Sequence, residues 1–215
     1  DRREPAQGLQ PGAAVAAQPP SDTLLIGRIY PTALTTEPVA ALAYDRDGRV
    51  LDLFDKTART TPPHRSPFNF VLLKDHAFSD VSITAKVRTT TKAYGHRDIV
   101  VVFGHQDPAR YYYVHFGEKA DDHAGQVFIV NNAPRTKIST KETTGIPWRE
   151  DTWHTVKVTR TAADGMIRVY FDDMDTTVME AKDTTFGAGR IGLGSFDDTA
   201  RFDDVVIEGV TPPHA

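Results

Sequence analysis

Cysteine does not occur among the 215 residues of this chain. Disulfides, thiolate zinc centres and a cysteine nucleophile are thereby excluded together. The compartment is not settled by this, since many periplasmic proteins also lack cysteine. Long apolar runs are missing too, and none approaches the roughly 20 residues that span a bilayer. Excess basic charge is absent: 25 Lys and Arg face 29 Asp and Glu, a formal net charge of −4. Electrostatics therefore make no case for nucleic acid as a partner. No apolar stripe keeps helical spacing over three turns, and no short internal repeat recurs, which argues against propellers and solenoids.

What is present suits a folded domain, with 40% hydrophobic and 25% charged residues. The length allows one large all-β domain, or an ordinary domain with a tail. Residues 1–22 are rich in Ala, Pro, Gln and Gly without periodicity, which predicts an N-terminal tail or arm. Residues 23–211 are expected to form a single domain. Within it, residues 36–63 look irregular and end in Thr61-Pro62-Pro63. From residue 66 onward apolar and polar residues alternate with period two. The predicted apolar faces are Phe68, Phe70 and Leu72; Val81, Ile83, Ala85 and Val87; Ile99, Val101 and Phe103; Tyr112, Val114 and Phe116; and Val127 and Ile129. Later sets are Trp153, Val156 and Val158; Ile167, Val169 and Phe171; Ile191 and Leu193; and Val205 and Ile207. Turns rich in Gly, Pro and Asp separate them. Many short antiparallel strands at this spacing predict a sandwich or barrel.

The stretch His96–Arg135 concentrates the ionisable groups, with four of the eight histidines and three arginines among strand-forming residues. Strand parity sorts them. With Ile99, Val101, Phe103, Tyr112, Val114 and Phe116 facing the core, Asp98, Val100, Val102, Gln106, Tyr111, Tyr113 and His115 face away, as do Gln126, Phe128 and Val130. A sheet with one dry face and one chemically equipped face is the expectation. Tyr and His on a shared face can divide proton transfer between them. Equally, tyrosine rings can stack on a ligand that Asp, Asn and Gln hydrogen-bond, with no chemistry at all. His64-Arg65 lies between prolines that hold the backbone extended, as a cationic pair over a groove or as a solvated loop. Asp121-Asp122-His123 offers metal-ligand types, although three adjacent residues seldom reach one ion. The acidic pairs Asp172-Asp173, Asp197-Asp198 and Asp203-Asp204 suggest calcium, or else cap turns.

Four C-terminal motifs carry a resemblance: W-H-x-V-x-V-x-R (Trp153–Arg160), G-x-I-x-V-Y-F-D-D (Gly165–Asp173), G-R-I-G-L-G-S-F-D-D (Gly189–Asp198) and F-D-D-V-V-I (Phe202–Ile207). In this order they resemble the concanavalin A-like lectin/glucanase jelly rolls, over about residues 66–209. That superfamily includes laminin-G-like modules, family 16 glycoside hydrolases, jelly-roll polysaccharide lyases and the domain of 3-keto-disaccharide hydrolases. The central Pro-Pro-His-Arg-Ser-Pro, His-Arg-Asp, Gly-His-Gln-Asp-Pro and Asn-Ala-Pro-Arg segments resemble a group of bacterial secreted proteins of uncertain activity.

The resemblance implies an antiparallel jelly-roll β-sandwich, a secreted or periplasmic location, and a carbohydrate ligand or substrate in a groove on the concave sheet. Carried over to this chain, Tyr113 and His115 become base and acid of an elimination, with Arg97, Gln106 or Arg135 neutralising a uronate carboxylate. His64, Arg65, His96, Asp98, Tyr111, Gln126 and Asn132 become further substrate contacts. Two-carboxylate hydrolysis is less favoured, because none of the seven glutamates keeps the E-x-D-x-(x)-E spacing of family 16 enzymes. Asp98, Asp107, Asp121 and Asp122 remain as carboxylate candidates. A non-catalytic carbohydrate-binding or adhesion module is the alternative, and an accessory subunit facing a protein partner a third reading. A structural Ca²⁺ on Asp203 or Asp204 of the last strand is the implied cofactor; no organic cofactor is expected.

Overall fold

The computed structural model describes residues 50–57 and 61–211, together with the strand pairing of residues 22–25, 34–35 and 41–44. The arm expected over residues 1–22 therefore lies, apart from Asp22, outside the described residues.

The described chain contains no helix and folds as two antiparallel sheets packed into a sandwich. The larger runs β11 (Ser139–Lys141), β14 (Met179–Lys182), β13 (Met166–Phe171), β12 (His154–Arg160), β6 (Val81–Thr89), β16 (Ala200–Gly209), β4 (Leu51–Asp55), β3 (Ala41–Tyr44). Beside it, β1 (Asp22–Leu25) pairs with the far half of β16. The smaller sheet runs β10 (Thr136–Lys137), β9 (Val127–Asn131), β8 (Arg110–His115), β7 (Val100–Asp107), β15 (Arg190–Ser195), β5 (Asn69–Leu73), β2 (Leu34–Thr35).

Period-two alternation explains the larger sheet well. In β6 the residues Val81, Ile83, Ala85 and Val87 are buried while their neighbours are partly or fully exposed. Val156 and Val158, Ile167, Val169 and Phe171, and Val205 and Ile207 join the same core. From the smaller sheet it receives Val71 and Leu73, Ile99, Val101 and Phe103, Tyr112, Val114 and Phe116, and Ile191 and Leu193. Phe103 stacks on Tyr112 with ring centroids 5.4 Å apart. The Tyr112 hydroxyl donates to Asp183 at 2.5 Å and accepts from the Phe186 amide.

Three expectations are corrected. The segment 36–63 is not wholly irregular, since Leu51 and Leu53 alternate along β4 and are both buried. Phe70 and Leu72 do not face the core: in β5 all five residues are buried, and Val71 and Leu73 take the inner side. Trp153 is 37% exposed and lies beneath the Arg88 guanidinium rather than in the core.

Truncating the stacked ring tests this architecture. Phe103→Ala should cost about 3–5 kcal/mol, the usual loss for a large-to-small change in a close-packed core. Urea denaturation of the two proteins measures it.

Candidate functional site

The parity assignment holds for β8, β9 and β7 as far as Phe103, but the outer face it defines is not an open groove. Phe70, Leu72, Val100, Val102, Tyr111, Tyr113, Phe128 and Val130 form a second apolar cluster there, each 1% exposed or less. Tyr113 stacks on Phe128 at 5.1 Å, and its hydroxyl is buried without a hydrogen-bond partner. Burial pushes this phenol well above its ordinary pKa. Tyr111 donates to the Pro67 carbonyl at 3.4 Å, so the chain before β5 crosses this face. The expected wet groove is thus replaced by a second dry layer, and neither tyrosine presents its hydroxyl to solvent.

Polar groups gather instead at one end of the smaller sheet, where the strand order brings several loops together. Tyr94 and His96 precede β7, Asp121, His123 and Ala124 follow β8, and Phe196 and Asp197 follow β15. Together with Arg65, His115, Pro134 and Arg135 they line a hollow of about 540 Å³. Phe196 forms part of its floor and carries two cations, with the Arg135 guanidinium 4.9 Å and the Arg65 guanidinium 5.6 Å from its ring centre. The Arg135 amide donates to the Arg65 carbonyl at 3.2 Å, which ties the two arginine segments together. Among the described residues, neither guanidinium is ion-paired with a carboxylate. Tyr94 is 42% exposed, and its hydroxyl donates to Asp198 at 2.9 Å.

Beneath the hollow lies a buried polar knot. Asp98 and Asp198 are fully buried. Asp98 Oδ2 accepts the Phe196 amide at 2.8 Å, and Asp198 Oδ2 accepts the Asp98 amide at 2.9 Å. Burial, with the neighbouring Asp198 charge, holds Asp98 well above the ordinary carboxyl range. Burial and Asp198 raise Asp197 as well. His115 has one ring nitrogen engaged: Nδ1 accepts the Gly125 amide at 3.1 Å, while Nε2 lies 3.6 Å from Asp98 Oδ2, beyond hydrogen-bond distance. An Nδ1 that accepts leaves the proton on Nε2. Burial, reinforced by the Arg135 charge, lowers the imidazole to about 3. His115 is therefore a neutral wall of the hollow, with no free lone pair for proton abstraction.

The remaining candidates scatter. Arg97 is 1% exposed and points away from the hollow, into Glu118 and Glu150 at 2.8 Å each and the Trp148 carbonyl at 3.1 Å. Gln106 donates to the Ala188 carbonyl at 2.7 Å, because a bulge at Gly104 (φ 58°) shifts the parity on which its placement depended. Gln126 is buried and donates to Glu142 at 3.1 Å. Asn132 is an exposed turn residue at φ 53°. His64 lines a shallow neighbouring groove with Pro62, Pro63 and Phe68. Asp204 sits at a β-bulge of the last strand, paired with Lys86 at 2.7 Å, and Asp203 accepts the Asp204 amide. Asp122 is paired with Lys137 at 2.7 Å, so Asp121-Asp122-His123 does not converge. Sequence reasoning missed Tyr94, Phe196 and Asp197 as site residues; Asp197-Asp198 was visible as an acidic pair, while Tyr94 stood only as a lone loop aromatic before Gly95-His96.

The chain has the concanavalin A-like jelly-roll fold. A carbohydrate-binding module, CBM66 from Bacillus subtilis, superposes with a TM-score of 0.60 at 21% identity, covering 82% of this chain and 96% of that one. Winged bean acidic lectin complexed with methyl-α-D-galactose gives 0.59 at 11% identity, over 90% of this chain and 100% of the lectin. The exoplasmic/lumenal domain of VIP36, in a Ca²⁺/Man3GlcNAc-bound form, gives 0.55 at 11% identity, over 85% of each chain. No protein-family model and no curated protein matches the sequence.

Two outcomes follow from the electrostatics. Because its folded-state pKa lies below the unfolded value, His115 gives up stability as pH falls from about 6.5 toward 3. Two-bond ¹H–¹⁵N spectra should show it neutral and protonated on Nε2 from pH 8 to about 4, the range above its lowered pKa. Arg97→Met should cost about 2–3 kcal/mol in urea denaturation, less than a wholly buried pair because Glu150 stays solvated.

Proposed function

We propose that the loop-built hollow binds carbohydrate and that the protein is a secreted or periplasmic glycan-binding module. One observation carries this reading: an exposed aromatic ring, Tyr94, shares a hollow of about 540 Å³ with the donors Arg65, Arg135, His96 and His123 and the acceptors Asp121 and Asp197. A sugar presents apolar C–H faces and edges of paired hydroxyls. Aromatic rings stack on the first; charged side chains bind the second through paired hydrogen bonds. The hollow's size falls in the ordinary range for small-ligand sites. The fold shared with a carbohydrate-binding module and a galactoside-complexed lectin supports the same ligand class.

Binding without turnover is preferred to elimination because Tyr113 is sealed, and the buried His115 has its accepting nitrogen, Nδ1, taken by the Gly125 amide. One observation keeps a glycan lyase as the second reading: His96 and His123 are exposed, and they line the hollow with two arginines that, among the described residues, no carboxylate pairs. In that case one imidazole of His96 and His123 would abstract the C5 proton of a uronate whose carboxylate Arg65 or Arg135 neutralised; the C4–C5 double bond would form as the C4–O bond broke, and the other imidazole would protonate the leaving oxygen.

A panel of neutral and anionic polysaccharides separates the two. Binding should appear by calorimetry without ultraviolet-absorbing unsaturated product. Arg65→Ala and Tyr94→Ala should each weaken it about tenfold or more, the effect of losing one good contact of about 1.4 kcal/mol. Unsaturated product that disappears in His123→Ala would establish the lyase instead. No binding and no product on any glycan would sink both.

A further inference from the structure

We infer that Asp98, Asp197 and Asp198 form a binding site for a hard divalent cation, Ca²⁺, at the base of the hollow. Each offers a carboxylate oxygen, and the three oxygens lie within 4.8 Å of one another. Two oxygens on opposite sides of a Ca²⁺ are separated by roughly 4.6–5.2 Å, twice the usual Ca–O distance. The spacing therefore fits one ion between the three groups.

A second observation points to a missing ligand. Oδ1 of Asp98 and Oδ1 of Asp198 are sealed from solvent and have no hydrogen-bond partner. Their Oδ2 atoms, by contrast, are held by donors: the Phe196 amide on Asp98, and the Tyr94 hydroxyl and Asp98 amide on Asp198. Each buried carboxylate is thus oriented by one oxygen and left with the other unsatisfied. A buried polar atom without a partner costs free energy, and far more when it is charged. Among the described residues no Lys or Arg is ion-paired with any of the three. The nearest ring nitrogen, His115 Nε2, carries a proton and is a donor rather than a ligand.

The donor set is all oxygen, which selects a hard ion over zinc or copper. Three carboxylates leave coordination positions for water, and the exposed Asp197 opens them to the hollow. Ca²⁺ accepts six to eight oxygens in flexible geometry, while Mg²⁺ demands a near-ideal octahedron. This position differs from the last-strand aspartates, where Lys86 already neutralises Asp204. The three carboxylates make this site by themselves, whether or not the hollow takes a glycan.

Ca²⁺ titrated by calorimetry into the EDTA-treated full chain at neutral pH tests it. One ion should bind, with a Kd up to about 10⁻³ M, the weak end for extracellular calcium sites. The melting temperature should rise with Ca²⁺ as mass action requires. Asp197→Asn should weaken binding at least tenfold yet melt in EDTA at or above the unmutated protein, since the residue is exposed and one repulsion is gone. Asp204→Asn should leave Ca²⁺ affinity unchanged. Absence of both heat and melting shift at millimolar Ca²⁺ overturns the site. So does binding that survives Asp197→Asn and is lost in Asp204→Asn.

Discussion

Over β5, β7, β8 and β9 the smaller sheet is dry on both faces, and the placement of the site's polar groups follows from that constraint. Its inner side closes the main core, and its outer side carries a second layer from Phe70 to Val130. Backbone groups inside such a sheet are satisfied by the strand ladders, but a side-chain hydroxyl or charge has no such provision. Tyr113, with its unpartnered hydroxyl, is what a polar group meets there. Apart from His105, which is buried against Tyr111 with both ring nitrogens unpartnered, the ionisable groups of this face lie at the strand ends, where backbone amides of the loops and solvent can serve them. The hollow forms at that boundary, between dry sheet and wet loops.

What holds the boundary together is the knot around Asp98. Its carboxylate takes the amide of Phe196, and its own amide is taken by Asp198. Asp198 in turn receives the Tyr94 hydroxyl and, through its backbone, exchanges hydrogen bonds with Ser195. The loop before β7 and the loop after β15 are thereby clamped to each other. Phe196, set by this clamp, is the platform under Arg65 and Arg135. The exposed groups of the site rest, in this way, on buried carboxyl groups that, among the described residues, no lysine or arginine ion-pairs. The electrostatic tension and the positioning of the binding residues have one source.

Much of this was legible beforehand, and the exceptions have identifiable physical causes. Alternation located β6, β12, β13 and the core faces of β7 and β8 because each has one buried side. It failed for β5, where Phe70 to Leu73 are apolar without interruption and both sides are buried. The same signal was present in Val100-Val101-Val102-Phe103, a continuous apolar run that marks a strand covered on both faces. Taken together with Phe128 and Val130, it spoke against an open groove. Gln106 was misplaced by the single extra turn of backbone at Gly104, since one bulged residue exchanges inner for outer.

Periodicity and residue type are local properties, so the sandwich, the inner faces of β6, β12 and β13 and the stock of imidazole, guanidinium and carboxylate groups between His64 and Asp198 could be read along the chain. Which of those groups meet is set by the folded chain. Arg65, His96, His115, Arg135 and Asp197 come from five separate segments that converge on one hollow, while Arg97, adjacent to His96, turns into an ion-pair network on the other side. Convergence of that kind depends on strand order and loop path across the whole chain, and no local pattern records either.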